Sequence, residues 1–318
     1  MRRLFGAAIL IGLAALLLLW GFWFRGSVDQ PVRLTVAEGA SLSSVAEQLD
    51  RDGLIAGNAT TFKAFARLLG SSDPIQAGEF AIPAGASASS ILEILQHGRP
   101  VVRLLTIPEG MPAVLVHEKL AAVSELTGEA PVPEEGSVLP DSYDWQAGET
   151  RAAVLERMTA AMDKALAEEW AKRAAHSVVD SPREAVILAS IVEKETGKAS
   201  ERPMVAGVLS NRLRIGMALG ADATTIYPIT KGKPLGRMIR KSELAADNGY
   251  NTRRKAGLPV GPITNPGRES LAAVLNPAKT DALYYVADGS GGHVFARTLQ
   301  EHNANVAKWR KYRREKGI

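Results

Sequence analysis

Near the end of one predicted helix stand two glutamates, Glu193 and Glu195, placed where water should be scarce. The stretch 181–197 reads SPREAVILASIVEKETG. Ser181 with Glu184 has the form of a capping box, Pro182 suits the first helical position, and Gly197 offers a stop. At ~100° per residue, Leu188, Ile191 and Val192 share a face with Glu195, while Glu193 lies roughly opposite, over Val186 and Ala189. Residues 185–192 carry no charge on any face, so the helix should be buried all round. Desolvation and the helix dipole both disfavour a carboxylate at the C-terminal end of such a helix, and both raise its pKa. A raised carboxyl is what a general acid working near neutrality needs. The competing reading pairs both glutamates with Lys194, Lys198 or a distant arginine, as parts of the fold only.

The neighbouring sequence must hold that helix and open a site beside it. Residues 152–175 read as a long helix or a helix pair with Val154, Leu155, Met158, Met162 and Leu166 inside. Residues 201–213 read as another, capped by Ser200. Residues 128–148 are rich in Pro, Gly and acidic side chains and read mostly as loop, and the chain turns loop-rich again after Arg214. Three prolines in the ten residues 258–267, LPVGPITNPG, suggest an extended wall or lid. Residues 283–287 and 293–296 form a hairpin across a tight turn. A helical core with long polar loops suits an elongated cleft rather than a closed pocket.

The first hundred residues have a different organisation. Strands are expected at 32–36, 77–82 and 101–107, and helices at 41–49, 60–69 and 87–96. The order strand, glycine turn, Ala-Ser, helix occurs twice, in LTVAEGASLSSVAEQL and EFAIPAGASASSILEIL, which points to an internal duplication. In outline this pattern resembles a LysM-like module, a small glycan-binding fold with helices on a short sheet. A spacer that lifts the next domain off a bilayer is the alternative. Ahead of it, residues 5–24 run for twenty positions without a charge, after Arg2 and Arg3. At ~1.5 Å per residue a helix of that length spans a hydrocarbon core. The run closes on the aromatic cluster Trp20-Gly21-Phe22-Trp23-Phe24 with no small-residue cleavage pattern. An uncleaved single-pass anchor is therefore expected, with the rest of the chain extracytoplasmic. A cleaved signal peptide would leave the compartment unchanged.

Composition narrows the classes further. A chain of 318 residues, 46% hydrophobic, can bury a large core, and the anchor is followed by two expected domains, 27–106 and 107–318 after 1–26. Cysteine is absent and the five histidines show no tight ligand spacing, so no metal site is expected. The net charge is +4, with a dense basic run, KWRKYRREK, at 308–316. That run is either a solvated helix end or a contact for anionic wall polymer or lipid headgroups. Nucleic acid is not an expected partner on the far side of a membrane.

The C-terminal half carries in succession LASIVEKETG, ERPMVAGVLSNRLRIGMAL, YNT, GLPVGPITNPG and YYVADGSGGHVFARTLQEHN. Together these resemble the signatures of the MltG, or YceG-like, family of membrane-anchored endolytic murein transglycosylases. The resemblance is dense from Leu188 onward and runs from the anchor to about Asn305. It implies an α+β fold in which a LysM-like domain joins a catalytic domain with a lysozyme-like helical centre. It also implies a cell inner membrane location with the catalytic domain periplasmic. The implied reaction cuts between N-acetylmuramic acid and N-acetylglucosamine inside a glycan strand. It leaves a 1,6-anhydromuramic end and terminates elongation. Glu195 matches the family's catalytic acid, and Glu195-Thr196 follows the Glu-Ser/Thr pattern of other lytic transglycosylases. Three positions depart from the family pattern: Ala223 where a proline is common, Arg253 for a tyrosine in YNTY, and Val260 for the second proline of GLPPG. They bear on loop conformation and subsite preference.

The chemistry is consistent with one working carboxyl. Glycosidases usually use two carboxylates, ~5 Å apart if retaining and ~6.5–9.5 Å apart if inverting, whereas Glu193 and Glu195 project to opposite sides of one helix. A lytic transglycosylase uses the substrate's own 6-hydroxyl as nucleophile, with a large effective-molarity advantage over water. Asn211, Tyr227, Tyr250 and Asn251 offer amide and phenol groups for acetamido groups and sugar hydroxyls. Asp222 could bind substrate, orient a loop or cap the turn at Thr224. Glu193 reads as a structural partner of Arg212 or Arg214, with a second catalyst as the alternative, and His293 as either a turn residue or a cleft residue. No cofactor is implied. A pyridoxal-phosphate lyase, an older label of the family, would need a Schiff-base lysine and a cytoplasmic substrate. A non-catalytic peptidoglycan-binding scaffold for cell-wall synthases is the principal alternative, and synthases are also admissible partners of the enzyme.

Overall fold

The computed structural model of the chain describes Gly12, Leu17 and residues 19–317. Most of the expected anchor, 5–24, lies outside the described residues. Among those described, no helix is long and apolar enough to cross a membrane. Trp20–Phe24 forms a short π-helical turn. Trp23, expected among interfacial aromatics, is 3% exposed, with its ring 5.7 Å from Phe62 and 5.9 Å from Phe65. Two phenyl neighbours give the indole an apolar site inside the protein. The chain divides into two compact units, Met1–Arg103 with Asp144–Ala147, and Leu104–Tyr143 with Gly148–Ile318.

The first unit runs β1 (Val32–Val36), α1 (Leu42–Arg51), α2 (Ala59–Leu69), β2 (Gly78–Ile82) and α3 (Ala88–His97). β1 and β2 pair antiparallel with Leu34 opposite Phe80. The expected duplication is visible in detail. Gly39 and Gly85 both take the left-handed conformation, at φ +74° and +76°, which a glycine adopts without steric cost. Two residues later Ser41 and Ser87 cap their helices, each in a reciprocal box with a serine, Ser44 or Ser90. Val45 and Leu49 on α1 correspond to Ile91 and Leu95 on α3, and all four are buried in one core. Because Leu34 and Phe80 occupy equivalent places in the repeats, their pairing is what a two-fold relation between the halves requires.

Two short strands, β3 (Arg103–Thr106) and β4 (Ser142–Trp145), fall where the units divide, β4 within the stretch expected to be loop. The second unit contains α4 (Ala113–Ala121), α5 (Arg151–Trp170), α6 (Pro182–Glu195), α7 (Arg202–Arg214), α8 (Asp222–Thr230), α9 (Lys241–Leu244) and α10 (Arg268–Leu275). A hairpin of β5 (Tyr284–Ala287) and β6 (His293–Ala296) follows, then α11 (Leu299–Lys316). The uncharged run becomes a central helix: every residue from Ala185 to Val192 is buried. Around α6 pack α5, α7, α8 and α10. The Ser181 hydroxyl accepts from the Glu184 N–H at 3.2 Å, but the Glu184 carboxylate accepts from Asp180 rather than Ser181, so the box closes one residue early. The helix ends on an extended Thr196 rather than on a left-handed Gly197. Ser200 does not cap α7; its N-cap is Glu201, with no side-chain cap bond.

Residues 258–267, expected as an extended wall or lid, pack along α6 instead. Residues 261–267 are buried without exception, and the segment is bonded along α6. The Ile263 N–H donates to Ser190 Oγ at 3.1 Å and the Gly267 N–H to Glu193 at 2.9 Å. Buried irregular backbone must find such partners, because an unpaired N–H away from water is costly.

Candidate active site

Glu195 ends α6 at the edge of a cavity of about 470 Å³ whose lining includes Arg212, Leu219, Asp222, Arg253, Tyr285 and His302. The side chain is half-buried. Its Oε2 accepts the Tyr285 hydroxyl at 2.7 Å. The β5–β6 register sets that contact: Tyr285 lies opposite Phe295, and Ala287 opposite His293. The turn between them is closed by Asp288, which accepts from Ser290 N–H at 2.7 Å, and by left-handed Gly289 and Gly291. His293 is anchored by Glu201, through Nδ1 at 2.8 Å and its own N–H at 3.0 Å, and meets the Tyr285 ring edge-on at 5.4 Å. Burial raises the Glu195 carboxyl above its ordinary range. The Tyr285 hydrogen bond pulls it down, Asp222 pushes it up, and His293 and Arg212 lower it, with a net upward shift. Burial, then the nearby Glu195, pushes the Tyr285 phenol well up as well, so it stays a donor.

Glu193 has a different fate. It is 4% exposed, accepts from Arg202 Nη2 at 3.1 Å, and takes the Gly267 N–H. Arg202, 7% exposed, also binds Glu109 at 2.5 Å and Glu269. The expected partners, Arg212 and Arg214, are not the ones it meets. Arg202 opens α7, and Arg212 lies ten residues further along, about 15 Å at the helical rise. That distance puts Arg212 in the cavity, where its Nε and Nη1 donate to the carbonyls of Leu283 and Leu219 at 2.7 and 2.6 Å.

Of the expected binding residues, Asp222 alone shares the cavity with Glu195. It does not cap its own turn: α8 is preceded by Ala221, and both Nε and Nη2 of Arg253 donate to Asp222 Oδ1, at 2.9 and 2.6 Å. Asn211 lines another cavity. Its amide donates to Thr280 and Ala282 carbonyls at 2.8 and 3.0 Å, and its oxygen accepts from Arg214. Asn251 is 1% exposed, donates to the carbonyls of Leu244 and Ala246, and accepts from Thr225 and the Arg253 N–H. Tyr227 and Tyr250 pack ring against ring at 4.8 Å, and Glu135 lies beside the Tyr227 hydroxyl. Tyr285, Arg212, Arg253 and His302 are the cavity residues that residue-type reasoning passed over. Tyr285 and His302 lie in the quoted stretch YYVADGSGGHVFARTLQEHN, and Arg253 was visible as a departure from YNTY.

Comparison with known proteins bears on this arrangement. An endolytic murein transglycosylase of Streptococcus pneumoniae (strain D39) is 28% identical, aligned over 87% of this chain and 58% of its own length. The chain thus spans little more than half of that relative. An endolytic murein transglycosylase of Bacillus subtilis (strain 168) is 26% identical over 90% of this chain and 86% of its own. The crystal structure of a YceG-like protein from Listeria monocytogenes superposes with a TM-score of 0.54 at 25% identity, covering 86% of this chain and 98% of that one. The YceG-like family matches residues 34–308, which is most of the chain, and the chain belongs to that family.

Proposed function

We propose that this chain is an endolytic murein transglycosylase with Glu195 as its general acid and base. The observation that carries the reading is the separation of the two glutamates: Glu193 is tied to Arg202 and a backbone N–H, while Glu195 is raised by burial at a cavity wall. Glu195 protonates the glycosidic oxygen, the C1–O bond breaks with its electron pair going to the leaving sugar, and the substrate's N-acetyl carbonyl stabilises the cationic centre. The 6-hydroxyl of the same muramyl residue then attacks C1, and its proton returns to Glu195. Because the Tyr285 hydroxyl occupies Oε2, the proton that moves sits on Oε1. Names of relatives from two genera support the substrate class.

The wider reading follows from the same family. The chain is anchored in the inner membrane by the uncharged run that begins at Phe5, up to the point where Trp23 enters the first unit, with both units outside the cytoplasm. The first unit acts as a LysM-like glycan-binding module, which its capped helices packed on a two-stranded sheet support. The second acts as the lysozyme-like catalytic domain on nascent strands, with cell-wall synthases as neighbours. A hydrolase is the second reading, favoured by one observation: Asp222 shares the cavity, and a second carboxylate is what a water-using mechanism needs. Digestion of purified murein sacculi with mass analysis of the new ends separates them. Anhydro ends support the transglycosylase, reducing ends make it a hydrolase, and intact glycan leaves a scaffold.

A further inference from the structure

The charges facing Glu195 favour its anion more than its burial would suggest. Arg212 comes from α7, Tyr285 and His293 from the hairpin, Asp222 from α8, Arg253 from the loop after it, and His302 from α11. Arg253 is matched by Asp222. His302 stacks on Tyr284 at 5.2 Å, and burial together with Arg212 keeps it toward the neutral form. Arg212 is different. Its bonds go to two carbonyls, it forms no ion pair with a carboxylate among the described residues, and its guanidinium lies over the Tyr285 ring at 5.6 Å. A half-buried cation without a carboxylate partner is an expensive arrangement unless a negative charge appears beside it.

We propose that Arg212 is a positioning residue of the reaction, acting through Glu195 by stabilising the carboxylate that exists between the two proton transfers. This rests on the transglycosylase reading. In the first step the Oε1 proton goes to the glycosidic oxygen and leaves a carboxylate; in the second the 6-hydroxyl proton restores the acid. The anion between them is half-buried, and Asp222 repels it. The Tyr285 hydroxyl supplies one donor, and Arg212 supplies the compensating charge, held in place by Leu283 and Leu219 so that no reorganisation is needed.

The test measures the Glu195 titration directly, by isotope-edited infrared spectroscopy of the full chain, alongside the pH dependence of kcat on murein. Arg212→Gln should move the titration and the alkaline limb of the profile upward by about one unit or more, the scale of losing a nearby opposite charge. Arg212→Lys should restore most of that shift, Tyr285→Phe should move it upward, and Asp222→Asn should move it downward. If Arg212→Gln lowers kcat while the titration stays in place, Arg212 is a structural clamp and the proposal fails. The same holds if Lys does not rescue the shift. Should Glu195→Gln keep full turnover, the reading of the reaction fails instead, while the infrared shift would still register the charge of Arg212 at Glu195.

Discussion

Replacing Arg202 should damage the second unit more than replacing Glu193, although the two form one ion pair. In Arg202→Met the buried Glu193 carboxylate keeps the Gly267 N–H and loses its cation, while Glu109 and Glu269, 43% and 66% exposed, turn to solvent. An uncompensated buried charge of this kind costs about 3–5 kcal/mol. In Glu193→Gln the cation stays matched by Glu109 and Glu269, and the amide oxygen can still accept a bond. The loss is that of a charge-assisted hydrogen bond, about 1.5–3 kcal/mol. For a unit of ~150–250 residues, 1 kcal/mol corresponds to roughly 2–4 °C, so Arg202→Met should lower Tm by about 6–20 °C and Glu193→Gln by about 3–12 °C. Scanning calorimetry of the full chain, with turnover measured well below both transitions, checks this. Residual activity per folded molecule should survive in both variants. A folded, inactive Glu193→Gln enzyme would show that Glu193 is a catalyst. An Arg202→Met variant as stable as Glu193→Gln would refute the reading of the ion pair.

Three other outcomes follow from the same geometry. Glu195→Gln should keep its Tm and lose about 10²–10⁴-fold or more in turnover, measured as anhydro ends released from sacculi; retained turnover would remove Glu195 from the mechanism. Burial pushes the Glu135 carboxyl up to about 7, against hydrogen bonds from Ala113, Tyr227 and Gly136 that lower it. Its folded pKa, about 7, exceeds the unfolded ~4.3, so its contribution to stability is full below ~4.3 and is lost as pH rises through about 7, with an upper bound of ~3.7 kcal/mol; Glu135→Gln should flatten that part of the Tm–pH curve, and an unchanged slope would count against it. Asn251→Ala should cost about 1–3 kcal/mol by leaving carbonyls of Leu244 and Ala246 unpaired, with KM unchanged; a raised KM at constant Tm would return Asn251 to the substrate.

Much of the local architecture was legible because it depends on local rules. The run from Ala185 to Val192 has no charge to place in water, so it could only become a helix covered on all sides, and that is its position. The Ser-x-x-Ser caps at Ser41 and Ser87 and the glycines two residues before them specify the same turn twice, which made the duplication readable from spacing. Helix α8 escaped notice because Pro228 and a polar Thr-Thr pair break the apolar period, and its inner face is set by buried threonines bonded to Thr252 and Asn251.

The partners of the polar residues are another matter. Residue type alone made Asn211 and Asn251 good candidates for sugars, yet an amide bonds the nearest carbonyls that folding brings to it, and both are occupied by the protein. Glu193 and Glu195 differ by two positions and could be told apart by helical phase, which is a local quantity. Phase could not say that Glu193 would meet Arg202, or that Glu195 would meet Tyr285 from ninety residues away in the chain. Those pairings depend on the register of the β5–β6 hairpin and on how α7 packs against α6. The sequence by itself determined which helix would be buried and that carboxyls at its end would be costly to ionise. Only the tertiary structure decided which of the two carboxyls was given a counter-charge and which was left at a cavity, because long-range packing sets the distance between charges.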